Sequence, residues 1–178
     1  MNRDDRRALM RSRVMTRLSV LTSAARSSAF SVGVRTRQPV EVQRLQRRIR
    51  DVSERWSPLW TTAAAANALP GARLELEHVV PVVVLVERIL TGDEVEAVLE
   101  QGVVCRVTHE EHKKHLAVAF RRVHSELYAR MLACPISELS ALGWERYRAV
   151  GLSCVEVPRE DRCRLRASNV SCRKNGRS

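Results

Sequence analysis

The stretch LELEHVVPVVVLVERILTGDEVEAVLEQGVVCRVTHEEHKKHL, residues 74–116, holds four of the five histidines of this 178-residue chain together with Cys105. Leu74 and Leu76 alternate with Glu75 and Glu77, a period of two that predicts a short strand. Pro81 suits the start of a helix, here running to about Leu90. Thr91-Gly92-Asp93 predicts a turn, with Asp93 capping a short helix that ends near Gly102. The β-branched run VVCRV, residues 103–107, predicts a second strand. Thr108 then caps a helix, and Glu111 three residues later completes a capping box. Leu116, Phe120, Val123, Leu127 and Met131 carry the apolar stripe of that helix to about residue 132, where Cys134-Pro135 stops it.

Upstream, Pro39 opens a helix over about 40–56. Val42, Leu45, Ile49, Val52 and Trp56 form its apolar stripe, and Arg44, Arg47, Arg48 and Arg50 occupy other faces. Ser57-Pro58 predicts the cap and first turn of a further helix through LWTTAAAANAL, broken at Pro70-Gly71. Residues 1–37 are rich in Arg, Ser, Thr and Ala, and Leu18, Val20 and Leu21 make no sustained stripe. They read as a basic, mostly disordered arm with a helix near residues 3–20. Downstream, Ser137 or Ser140 caps a helix to Val150 that Gly151 closes, a strand covers 152–157, and a basic disordered tail fills 158–178. The fold class expected is α+β, mainly helical with a small sheet. One domain spans 38–157, with a helical lead-in at 38–70, a core at 73–132 and a closing helix and strand at 137–157.

Charge divides the same way. Residues 1–73 carry 15 basic and 5 acidic side chains, residues 74–157 carry 9 and 13, and residues 158–178 carry 7 and 2. A mildly acidic centre between basic ends suits a cation-binding site flanked by arms that hold a polyanion. Five cysteines, an odd number, argue against a closed disulfide framework and for a reducing cytoplasm. No apolar run approaches the ~18 residues of a membrane span, so no membrane partner is expected.

The string EHVVP, residues 77–81, resembles the D/E-H-[IV]-[IV]-P that begins the metal site of the HNH, or ββα-metal, endonucleases. VVCRVTHEEHKKHL, residues 103–116, resembles the second strand and metal-binding helix of that motif, and GWERYRAVGL, residues 143–152, a later segment of such proteins. The resemblance implies a ββα-metal-like sheet and a DNA endonuclease in which His78 is the general base that activates water. It implies that Glu77 and His112 hold one divalent metal ion (Mg2+, Mn2+ or Zn2+), with His109 the rival of His112. Lys113 and Lys114 then stand ready for phosphates, as do Arg44, Arg47 and Arg48 on the basic helix, and the expected partner is double-stranded DNA. The middle Asn of the motif has no counterpart between residues 95 and 106. Thr108 stands where some relatives have the second Cys of a structural zinc site. Two other readings stay open: a nucleic-acid-binding protein of the same fold without the chemistry, and a structural zinc protein using Cys105, His109, His112 and His78. Trp144, Arg146 and Tyr147 read as packing and surface.

Overall fold

Two helices open the chain in the computed structural model, which describes residues 3–31, 39–116, 124–158 and 161. Helix α1 spans Arg3–Ser31 and α2 spans Val40–Trp56. The length of α1 corrects the expectation of a mostly disordered arm. Its inner side runs through Val14, Met15, Leu18, Leu21, Thr22 and Ala25. These positions fall at i, i+1, i+4, i+7, i+8 and i+11, one face of a helix. Thr22 and Ala25 hide that stripe from a count of apolar residues, and Val20 points outward. Arg26 donates two hydrogen bonds to the Ile89 carbonyl, at 3.1 and 2.6 Å, and so caps the carbonyl end of a later helix. On α2, Val42, Leu45, Ile49 and Val52 are buried as the stripe predicts, while Trp56 is 39% exposed.

Ser57-Pro58 does not begin a helix. Ser57 is extended (φ −70°, ψ 159°), the conformation a following proline favours, and the chain passes straight into strand β1, Leu59–Thr62. Trp60, Thr61 and Thr62 are strand formers. β1 finds a partner on each side: β3 (Val104–Thr108) in parallel and β4 (Cys154–Glu156) antiparallel. Only Ala63–Ala66 of the expected helix forms, as α3, with Thr62 Oγ1 accepting from the Ala65 N–H at 3.1 Å.

Strand β2, Leu74–His78, pairs antiparallel with β3, from Leu74↔Thr108 to His78↔Val104. The sheet order is β2-β3-β1-β4, so β2 is an edge strand. Between β2 and β3 the chain makes α4 (Val82–Thr91) and α5 (Val95–Glu100). Gly92 closes α4 at φ 127°, where a Cβ would be strained. Asp93 does not cap α5, because its carboxylate turns back to the buried Arg88, and Glu94 takes the cap position without a side-chain bond. After β3 the capping box forms as expected. Thr108 Oγ1 accepts from the Glu111 N–H at 3.1 Å, and Glu111 Oε2 accepts from the Thr108 N–H at 2.8 Å.

The helix that follows is a π-helical turn over Glu111–Leu116 rather than a regular α-helix. Glu111 and Leu116 are both buried. Five residues bring them near one face only when the turn is widened to i→i+5. α6 (His124–Ala133) and α7 (Leu139–Arg148) complete the helices. Neither Ser137 nor Ser140 caps α7, since Glu138 holds that position with no side-chain bond. Gly151, at φ 72°, does end it. Phe120 and Val123 of the expected long helix, and the tail from 159 apart from Asp161, fall outside the described residues.

The fold is α+β, mainly helical with a four-stranded mixed sheet. Among the described residues no helix is long and apolar enough to cross a membrane. One apolar core joins α1, α2, α4, α5 and α6. A smaller one gathers Val79, Val103, Cys105, Val107, Leu116 and Tyr147 under the sheet.

Candidate functional site

Strand alternation puts Glu75 and Glu77 on one side of β2. Across the pairing they stand opposite Val107 and Cys105, on the side that the π-helical turn and α7 cover. The capping box fixes where that turn starts, and Glu111 is held further by Thr62, whose Oγ1 donates to Glu111 Oε2 at 2.8 Å. One residue on, the His112 ring lies between the two strand carboxylates. Its Nδ1 is 3.3 Å from Glu77 Oε2 and its Nε2 is 3.5 Å from Glu75 Oε2. Neither contact is aligned as a hydrogen bond, and Nδ1 is buried without one. His109, at the head of the turn, engages Glu75 Oε1 through Nδ1.

His78 ends β2. Alternation turns it to the other side of the strand from Glu77, but both line one cavity of about 510 Å3 that borders the sheet edge. The opposite wall is Gln46, Arg50 and Glu54, one line of α2 at i, i+4 and i+8. His78 is 5% exposed, and its Nε2 is buried with no hydrogen-bond partner among the described residues. Burial pushes the imidazole down to about 4. The Glu77 charge works the other way, and Arg50 and Arg146 add to the lowering. The ring is therefore neutral at pH 7. Burial alone would raise the Glu77 carboxyl, but the His112 ring and the Arg146 charge outweigh it and hold the group below its ordinary value. His112 is held above its ordinary value by Glu77 first, against desolvation, with Glu75 helping and Arg146 opposing.

Arg146, expected at the surface, is instead 5% exposed. Its Nη2 donates to Glu77 Oε1 and to the His78 carbonyl, each at 2.9 Å. Of the other expected residues, Lys113 and Lys114 are exposed on the π-helical turn, and Lys114 is paired with Glu110. Arg44 and Arg48 sit two residues from Gln46, some 200° around α2, so they face away from the cavity wall. Arg47 is exposed, and Arg50 is the α2 arginine that reaches the cavity. Cys105 does not join the histidines; its Sγ lies 3.7 Å from Cys154 Sγ. That pair raises the Cys105 thiol and lowers Cys154.

Three residues were missed in the sequence: Arg50, whose neighbours Arg44, Arg47 and Arg48 were chosen instead, Glu75 and Arg146. Glu75 had a signal, since it lies two positions from Glu77 on the same strand face. Arg146 had none, because its contacts span 68 and 69 residues.

Two carboxylates and an imidazole suit a hard or borderline divalent cation. The oxygens not taken up by His109 or Arg146 are Glu75 Oε2 and Glu77 Oε2, and both face His112. The 3.3 Å between His112 Nδ1 and Glu77 Oε2 is close to the ~3.3 Å at which two donors share a tetrahedral ion with ~2.0 Å bonds, whereas Glu75 Oε2 approaches the other ring nitrogen and so lies outside that pair. Among the described residues, however, no three His, Cys, Asp or Glu side chains stand as a ready-made cage. His112 turns a nitrogen towards each carboxylate, and their charges hold its pKa above the ordinary value, so a cation at Glu77 competes with a proton for Nδ1. Comparison with protein-family models, curated proteins and solved structures found no match.

Proposed function

We propose that this chain is a metal-dependent, HNH-like endonuclease of the ββα-metal type that acts in the cytoplasm and hydrolyses phosphodiester bonds of double-stranded DNA. The observation that carries the reading is the meeting, along one cavity, of Glu77 and His78 from the end of β2 with His112 from the turn after β3. His78 is the general base. Its neutral ring and uncommitted Nε2 can take a proton from water at any pH above about 4. Glu77 and His112, with Glu75 beside them, hold one Mg2+, Mn2+ or Zn2+ ion. His109 orients Glu75 rather than binding the ion. A cation held there would supply charge stabilisation to the phosphate and the leaving oxygen. Arg50, which lines the cavity with His78, faces the incoming phosphate, and Lys113 and Arg47 meet the backbone further along, while Arg44 and Arg48 face away from the cavity.

The decisive measurement is nicking of supercoiled plasmid by the purified full chain with each of the three metals. The His78→Ala variant should lose roughly 10²–10⁴-fold in rate. Equal rates for the two proteins under all three metals would end this reading.

A second reading, a nucleic-acid-binding protein of the same fold without the chemistry, is favoured by two observations. The two nitrogens of His112 are turned to different carboxylates, and the low basicity of His78 makes it a poor proton acceptor. This reading expects duplex binding with a steep salt slope and no cleavage.

A further inference from the structure

We propose that α7, the helix of the GWERYR segment, is a clamp that sets the position of the Glu77-His78 pair, with Arg146 as its positioning residue. The proposal rests on the nuclease reading above and adds to it what holds the two side chains in place. Two contacts three residues apart, hence on one face of α7, grip consecutive residues of the β2 end. At the first, Gly143 lies flat against the backbone after His78: a Cβ there would stand 2.9 Å from the Val79 carbonyl oxygen. No side chain can occupy that position without moving α7 off the strand. At the second, one Arg146 nitrogen donates both to the Glu77 carboxylate and to the His78 main-chain carbonyl, at 2.9 Å each. The first bond occupies Glu77 Oε1 and leaves Oε2 turned to His112. The second pins the peptide from which the His78 ring projects. A planar guanidinium serves both acceptors in one rigid geometry, which an ammonium on a flexible stem does not reproduce. Beside this face, Trp144 and Tyr147 anchor the same helix, with ring centroids 5.1 Å apart and Trp144 set 5.0 Å from Trp60 of β1. The clamp is thereby tied to the sheet.

The test uses the full-length chain and the variants Arg146→Ala, Arg146→Lys and Gly143→Ala, each followed by plasmid nicking and by NMR of the histidine ring signals in chelator. In Arg146→Ala, kcat should fall about 100-fold with KM within about twofold. The His78 and His112 ring signals should move while those of His115 stay. Millimolar guanidinium should restore both rate and signals saturably, and Arg146→Lys should not restore them. Gly143→Ala should show the same displaced signals but no response to guanidinium, because there the guanidinium is present and the helix is displaced. Unmoved His78 and His112 signals in Arg146→Ala, or a variant whose only change is a lower melting temperature, would overturn the clamp even if the wild type nicks DNA. If the wild type fails to nick with every metal, the nuclease reading falls alone, and the guanidinium-dependent return of the ring signals still decides the clamp.

Discussion

The helical half of the molecule and the sheet half each bury an arginine against a carboxylate and main-chain carbonyls, and they differ in what surrounds it. In the helical half, Arg88 is 7% exposed within the large apolar core. Its Nε meets Asp93, and its Nη1 donates to the Leu132 and Cys134 carbonyls at 2.7 Å each, at the end of α6. That guanidinium is spent on structure, since it closes the carbonyl end of one helix and the turn after another. In the sheet half, Arg146 also has its nitrogen engaged, but around it lie groups with no aligned hydrogen bond: His78 Nε2, His112 Nδ1 and the Tyr147 hydroxyl. Polar groups left in this condition inside a protein cost about 1–3 kcal/mol each and call for a reason. A protein that satisfies one buried arginine with four acceptors has the means to satisfy others. The open ring nitrogens belong to residues that line a cavity, whereas Thr22 and Ser53, whose buried hydroxyls are open in the helical half, do not line it.

The sharpest way to break the contrast is Arg88→Ala. It should lower stability by about 3–4 kcal/mol, read from the urea midpoint, because it strands several buried acceptors at once. Nicking per folded molecule should not change. A comparable loss of activity would show that the two halves are not separable.

The next effect is a pH dependence confined to the sheet half. His78 titrates near 4 when folded and near 6.5 when unfolded. Between those values the unfolded chain binds a proton that the folded chain refuses. The stability contributed by the neutral ring is therefore complete above about pH 6.5 and drains away as the pH falls towards 4, by up to about 3 kcal/mol. In chelator, acidification from pH 7 to pH 4.5 should thus destabilise the wild type more than His78→Asn, as melting curves would record. Parallel curves would mean that His78 is not buried in solution.

The smallest effect is at the hinge between sheet and π-helical turn. Thr108→Ala removes one side of the capping box and should cost about 1 kcal/mol. It should also loosen the start of the turn that carries His112, seen as faster amide exchange there and not in α4. Uniform exchange throughout would assign the capping box to stability alone.

What was legible in the sequence was local. The period of two at Leu74–Glu77, the strand 103–107, α4 after Pro81 and the Thr108–Glu111 box each depend on neighbours within a few residues, and each formed where expected. β1 was not legible because its strand character comes from partners at 104–106 and 154–156, while its own residues adjoin an alanine run that favours helix. A helix near 3–20 was expected, but the extent of α1 to Ser31 and its docked face were not, because Thr22 and Ala25 serve that face. The candidate site divides likewise. Glu77, His78 and His112 stood out as a pattern of residue types, whereas Arg146 and Arg50 join them only through the packing of α7 and α2 on β2.

The detour of the chain through α4 and α5 between β2 and β3 has a kinetic consequence. A hairpin with a two-residue turn can zip in microseconds, but these strands are joined through helices whose side chains belong to the core shared with α1 and α2. Closing the pair is therefore a non-local event that follows the docking of those helices. The two carboxylates and the imidazole are thus expected to meet late in folding, after the helices that carry much of the basic charge have formed.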